Sequence, residues 1–254
     1  MINCHRPRAR ATARPRVLWS AALLLVAVAS VSWAGEFSVS PLRVDLKAAH
    51  RLAVLTVTNS ADAPLAVQLR LVSWSQDNGE DQYVDTGDLL ATPPIFRIAP
   101  HGQQIIRIAL RHDPDPSRET DYRVFVTEIP QPPSKDFSGM QVALRMSLPI
   151  FVAPAVLEQP QLHWSARWSS DGALRVTASN TGNAHVKVTD FDVRFAGSGK
   201  PSQVRVTRYV LPGSSVSWTV EPDAEAGTDR QAAIHLRGAT DRGDFAADVE
   251  PAGT

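Results

Sequence analysis

Met140-Gln141-Val142-Ala143-Leu144-Arg145-Met146-Ser147-Leu148-Pro149-Ile150-Phe151 places an apolar residue at every second position from Met140 to Ile150. Alternate residues of a β-strand share a face. Met140, Val142, Leu144, Met146, Leu148 and Ile150 therefore form one continuous stripe, and Gln141, Ala143, Arg145 and Ser147 face the other way. Two readings stay open. The stripe lines the core of its own domain, or part of it is offered to a partner that lacks a strand. In the second case main-chain hydrogen bonds supply affinity and alternate side chains supply specificity. Pro149 has no N–H to give to a ladder, which suits an edge strand or a crossover between sheets.

Working outward, the same two-residue period recurs on both sides. Upstream, Leu52–Thr58 ends at the turn signal Asn59-Ser60-Ala61-Asp62, and Val67–Trp74 ends at Asp77-Asn78-Gly79-Glu80. Gln104–Leu110 and Tyr122–Thr127 follow, and then Pro130, Pro132 and Pro133 interrupt the chain. Downstream, Ala153 to Pro160 reads as a short stiff linker. Beyond it, Leu174–Ala178, Val186–Phe191, Val204–Val210, Val216–Val220 and Ala233–Arg237 repeat the pattern. Asn180-Thr181-Gly182-Asn183 echoes the turn at Asn59. Runs of this length, bounded by turn residues and with no sustained 3.6-residue period, imply an all-β chain. The expected fold is two immunoglobulin-like β-sandwich domains in tandem, at residues 35–154 and 155–254, preceded by a cleavable signal peptide at residues 1–34.

The leader is read from its own chemistry. Arg6, Arg8, Arg10, Arg14 and Arg16 precede an apolar run from Val17 to Val31, and Ser32-Trp33-Ala34 puts small residues at the −3 and −1 positions of a cleavage site. The run is shorter than the roughly 20 residues that span a bilayer, so no stable membrane anchor is expected. The 254-residue chain is formally neutral, with 26 basic and 26 acidic residues. The five leader arginines meet no acid, so the remainder has a net charge of about −5, which argues against nucleic-acid binding through a global positive field. The single cysteine, Cys4, lies in the leader, so an exported chain would rely on two apolar cores rather than disulfides. None of the seven histidines is within four residues of another, and no nucleophile-elbow or phosphate-loop motif is present. No metal site, cofactor or catalytic residue is expected. Asp113, Asp115, Glu119 and Asp121 read as a charged surface loop.

One family resemblance is specific. It rests on Ser40-Pro41-Leu42-Arg43-Val44, Thr56-Val57-Thr58-Asn59 and Ala91-Thr92-Pro93-Pro94-Ile95-Phe96-Arg97-Ile98-Ala99-Pro100. It continues through Gln104–Ile108, Tyr122-Arg123-Val124-Phe125-Val126-Thr127-Glu128-Ile129-Pro130 and the Met140–Pro154 segment. In this order they resemble the N-terminal domain of PapD-like periplasmic pilus chaperones. Thr240-Asp241-Arg242-Gly243 is similar to a turn near that family's C-terminus. The resemblance implies a periplasmic, non-enzymatic chaperone in the chaperone-usher pathway, needing no nucleotide. Its partners would be pilin or fimbrial subunits, which lack a strand, and an outer-membrane usher that accepts the complex. A self-capping homo-oligomer is expected when no subunit is bound. Met140, Val142 and Leu144 match the groove-filling residues by register, and Met146 and Leu148 extend the same face. Arg43 matches the first of two basic anchors for the subunit's terminal carboxylate, a role suited to a bidentate guanidinium.

The sequence also departs from the family. The second anchor, a lysine, is replaced by Pro149, which leaves Arg145 and Arg123 as candidate substitutes. An interdomain salt bridge is implied for Glu128 and Asp241, but its arginine position is Ala153. Leu148-Pro149-Ile150-Phe151-Val152 resembles the archaic branch. A structural or adhesive periplasmic immunoglobulin-like protein is the alternative from another class.

Overall fold

The strands follow from the alternation just described. The computed structural model describes residues 37–130, 132, 140, 142–195, 200–205, 207–221, 230 and 232–252; the leader and Gln141 lie outside them. The first ten strands are β1 (Phe37–Ser40), β2 (Val44–Leu46), β3 (Leu52–Asn59), β4 (Leu65–Asp77), β5 (Glu80–Asp85), β6 (Leu89–Thr92), β7 (Ile95–Ile98), β8 (Gln103–Leu110), β9 (Thr120–Glu128) and β10 (Arg145–Val152). They build one sandwich. One sheet runs β1-β3-β8-β6; the other runs β2-β10-β9-β4-β5, with β7 also on β4. A second sandwich follows from β11 (Leu162–Trp168), β12 (Leu174–Asn180), β13 (Val186–Phe195), β14 (Ser202–Val204), β15 (Arg208–Val210), β16 (Ser215–Val220), β17 (Ile234–Thr240), β18 (Gly243–Val249) and β19 (Pro251–Ala252). Its sheets run β16-β12-β11-β19 and β14-β13-β17-β18, with β15 on β13.

Each sandwich closes over its own apolar layer. In the first, Leu55, Val57, Val67, Ile106, Ile108, Val124, Val126, Ile150 and Val152 meet between the sheets. In the second, Leu174, Val176, Val188, Phe191, Val193, Trp218, Ile234 and Leu236 do the same. The echoed asparagines do equivalent work. Asn59 Nδ2 donates to Ala63 O at 2.8 Å and Ala99 O at 3.0 Å, while its Oδ1 accepts from Ala61 N–H. Asn180 Nδ2 donates to Ala184 O at 2.8 Å and Val210 O at 3.0 Å, while its Oδ1 accepts from Gly182 and Gln161 N–H. Both are fully buried, so each turn is held by an amide that water cannot satisfy. Asn78 and Gly79 have φ of 51° and 83°, as a two-residue hairpin between β4 and β5 requires.

The structure differs from the sequence reading in one strand. The expected strand from Met140 is shortened, and the ladder to β9 starts at Arg145. The last rung is Glu128 N–H donating to Leu144 O at 2.9 Å. Beyond it β9 has ended and Pro130 follows, so among the described residues Val142 and Ala143 pair with no strand on that side.

Candidate functional site

The apolar stripe divides in two. Leu148 is buried at 2% exposure among the first core, with Ile150 and Val152. Leu144 and Met146 are half-buried and pack against the same cluster. Met140 and Val142, by contrast, are 85% and 77% exposed. The core reading therefore holds for the half from Leu148 onward, while Met140 and Val142 lie outside that core. On its other side, β10 pairs with β2 from Ile150 to Val152, so among the described residues the backbone from Arg145 to Pro149 is paired with β9 alone.

On the outward face of this sheet the arginines form a row. The parallel pairing of Ile150 with Val44 puts Arg43 beside Pro149, and Pro149 pairs directly with Arg123 on β9. With strands about 4.8 Å apart, the two arginines flank the proline at about 10 Å separation. Arg43 Nε donates to Asp45 Oδ1 at 2.8 Å, and Nη1 reaches Asp241 Oδ2 at 3.4 Å. Burial opposes the charge of Arg43, but the hydrogen bond and charges of Asp45 and Asp241 outweigh it and raise its pKa. The Arg123 guanidinium lies 3.8 Å from the Trp74 ring centroid and donates to Ser147 Oγ at 3.1 Å. Its Nε is buried without a hydrogen-bond partner among the described residues. Arg145 lies 3.9 Å over the Phe125 ring, four residues earlier on β10, and stays exposed.

This face also carries the junction between the sandwiches. Trp74 and Phe151 from the first meet Leu211 and Tyr209 from the second. Gln76 fixes their register: its Nε2 donates to Tyr209 O at 2.9 Å and its Oε1 accepts from Leu211 N–H at 3.0 Å. Arg208 donates to Gly79 O, and Arg118 to Pro212 O. At the centre His185 stacks on Phe151, with ring centroids 3.5 Å apart and planes 10° from parallel. His185 backbone N–H donates to Glu119 Oε1 at 2.8 Å, and its Nδ1 lies 2.7 Å from the same oxygen.

Glu119 and Asp121 are thus not a surface loop: both are buried against the second sandwich. Burial pushes Glu119 up, but its hydrogen bond to His185 and that residue's charge outweigh this and hold it low. Burial and then the charge of Glu119 push Asp121 well above the usual carboxylate range. Glu119, Asp121 and His185 bring potential ligand atoms within 4.8 Å of one another and are the group that could hold a metal ion among the described residues. The direct 2.7 Å contact of Nδ1 with Oε1 makes it a hydrogen-bonded cluster as it stands.

Of the two carboxylates expected at the junction, Asp241 is there. It accepts from Lys187 N–H at 2.8 Å and faces Arg43. Glu128 sits at the far end of β9, where its Oε2 accepts from Leu144 N–H at 3.2 Å within the first sandwich. Glu119, at the start of the region leading into β9, is the carboxylate that reaches across. Sequence spacing gave no sign of this, because Glu119 and His185 are 66 residues apart.

Comparison with known proteins bears on the same region. Residues 36–158 match the family described as pili and flagellar-assembly chaperone, PapD N-terminal domain. The chaperone protein LpfB of Salmonella typhimurium (strain LT2) is 29% identical over 174 residues, 66% of this chain and 72% of that protein. The chaperone protein CssC of Escherichia coli is 23% identical over 230 residues, 81% of this chain and 94% of that one. Among solved structures, a chain of the CsuC-CsuE chaperone-tip adhesion subunit pre-assembly complex, from archaic chaperone-usher Csu pili of Acinetobacter baumannii, superimposes with a TM-score of 0.64. The identity is 20%, covering 86% of this chain and all of that one, which is a likeness of fold.

Proposed function

Because the chain belongs to the PapD-like family of pilus-assembly chaperones, we propose that it acts in the periplasm by lending a strand to a pilin subunit before an outer-membrane usher accepts it. The observation that carries this is the split stripe. Leu148 and Ile150 root β10 in the core, while Met140 and Val142 stand exposed ahead of it on a segment with an open edge. Large exposed apolar side chains on an unpaired edge are an aggregation hazard that soluble proteins ordinarily blunt. Here they match the needs of a partner sandwich that is one strand short, whose groove they would fill while Leu144 and Met146 continue the same face. Methionine adapts to grooves of differing shape. Pairing of two such edges would give the self-capped oligomer of the subunit-free chain.

The anchor for the subunit's terminal carboxylate is Arg43 together with Arg123. They flank the Pro149 position, and a guanidinium can hold a carboxylate through two parallel hydrogen bonds. Arg145 lies about 13 Å further along β10, too far to share one carboxylate with Arg43. The domain boundary is assigned near residue 155, between the end of β10 and the start of β11. The Leu148–Val152 segment, with proline in place of the lysine, supports assignment to the archaic branch.

Co-expression with pilin-like proteins encoded nearby, followed by affinity purification of this chain, tests the function. A stoichiometric complex that Arg43→Ala or Arg123→Ala weakens is expected. A chain that binds no pilin would favour a structural or adhesive immunoglobulin-like protein.

A further inference from the structure

Tyr209 brings the second sandwich up to the row of arginines. It lies on β15, where Gln76 Nε2 donates to its backbone O at 2.9 Å and holds the strand against β4. Its ring is wedged between two others: the Trp74 and Phe151 centroids each lie 5.5 Å away, with Trp74 edge-on at 86°. Those two rings are 6.0 Å apart, so the three form one triangle. Each of the other two corners carries an arginine proposed above as part of the carboxylate anchor. The Arg43 guanidinium lies 4.9 Å from the Phe151 centroid, and that of Arg123 lies 3.8 Å from the Trp74 centroid.

The third corner holds a donor that is not engaged. Tyr209 is half-buried, and its hydroxyl makes no hydrogen bond among the described residues, although its backbone O does. Burial raises the pKa of the phenol, while the charges of Arg43 and Arg123 act the other way, so the hydroxyl keeps its proton and sits within reach of both fields. Lys187 adds a further cation from β13, with its ammonium 5.6 Å from the Tyr209 centroid. Guanidinium and ammonium groups donate but cannot accept, so none of these three cations gives the phenol an acceptor.

A carboxylate is the complement of this arrangement. It has about four lone-pair sites, more than one arginine fork fills. Arg43 is already engaged in part by Asp45 and Asp241, so a donor beside it adds to the hold on an incoming anion. We propose that Tyr209 is a further binding residue for the subunit's terminal carboxylate: its hydroxyl donates to a carboxylate oxygen held by Arg43 and Arg123. This deepens, and rests on, the anchor assignment under Proposed function. It also makes the anchor a joint product of the two sandwiches, because Tyr209 reaches the arginines only where Gln76 and the Trp74–Phe151–Leu211 contact seat one sandwich on the other. A phenol O–H to a carboxylate is a charge-assisted bond, about twice as strong as a neutral one.

Acetate is the minimal carboxylate probe. The leaderless chain, isotopically labelled, would be titrated with acetate while the Arg43 Nε–H resonance is followed by NMR. Tyr209→Phe keeps the ring against Trp74 and Phe151 and removes the hydroxyl alone, so acetate affinity should fall about ten-fold, the scale of one hydrogen bond to a charged group. Urea unfolding of that variant should be unchanged, because the hydroxyl has no partner in the free chain. A second measurement leaves the sequence intact. With 3-fluorotyrosine in place of the three tyrosines, the Tyr209 fluorine signal should move in step with Arg43 Nε–H, while that of Tyr122, in the first core, stays still. Should Tyr209→Phe lose stability as well as affinity, the fluorine signal decides. Equal acetate affinity in the folded variant, or a Tyr209 fluorine signal that stays still while Arg43 saturates, overturns the role of Tyr209. No Arg43 shift in the unmodified chain overturns the anchor assignment itself, which separates the two failures.

Discussion

Trimming Val142 and Leu148 to alanine should have opposite consequences, although both lie on one stripe. Val142 is 77% exposed in the free chain, so Val142→Ala removes almost nothing from the folded state, and the change in unfolding free energy should stay within about 0.5 kcal/mol. In a subunit groove the same change deletes two buried methyl groups. At about 0.8 kcal/mol each this comes to about 1.6 kcal/mol, or about 15-fold in the dissociation constant. Leu148 is 2% exposed among Val124, Val126 and Ile150, so Leu148→Ala should cost about 2–5 kcal/mol of stability. Urea unfolding of each leaderless variant, paired with competition against unmodified chain for one purified subunit, separates the effects. The division of the stripe would be refuted by a Val142→Ala chain that loses more than about 1 kcal/mol of stability, or one that holds subunit as tightly as the unmodified chain.

Other expectations follow from single contacts. Arg123→Met deletes the charge that lies over the Trp74 ring, so subunit affinity should fall about ten-fold or more, as measured by the same competition. Asn180→Ala leaves the carbonyls of Ala184 and Val210 and the N–H groups of Gly182 and Gln161 without their partner, and should cost about 2–3 kcal/mol by urea unfolding. Gly182→Ala would place a Cβ 2.0 Å from Gln159 O, so the linker must shift, and a lower melting temperature is expected by calorimetry. Asp121 has a folded-state pKa raised by burial and by Glu119, so the folded state holds a proton the unfolded chain releases at lower pH. Its contribution to stability is therefore present at acid pH and falls as pH rises out of the ordinary carboxylate range. Asp121→Asn should flatten that fall and leave the chain more stable at pH 7, read from melting curves across pH 4–8.

The strands were largely legible because period-two burial leaves its mark on each of them. Leu52–Asn59 and Leu174–Asn180 were visible as strands, and the likeness of the turns after them reflects the same buried amide in both sandwiches. Periodicity fell short where burial comes from another domain. Val72 and Trp74 alternate onto the outward face of β4, yet both are buried, Trp74 against Phe151, Tyr209 and Leu211. The stripe looked uniform from Met140 to Ile150, and only the end of β9 at Glu128 reveals where its pairing with β9 stops. Arg43 was proposed as an anchor from resemblance, and register favours Arg123 over Arg145 as the proposed second one because it lies opposite Pro149. Glu119 and His185 were invisible, because a carboxylate in an acidic run and an isolated histidine carry no signal until the fold joins them.

Hydrogen exchange of the leaderless chain, free and in complex with a copurified subunit, tests the central claim most directly. Strand donation requires backbone pairing along the open edge, so peptides covering Val142 and Ala143, ahead of the β9 ladder, should exchange rapidly in the free chain and become strongly protected in the complex, while the β11–β12 peptides stay unchanged. A complex in which Val142 and Ala143 exchange as fast as in the free chain would contradict strand donation and place the subunit elsewhere on the surface.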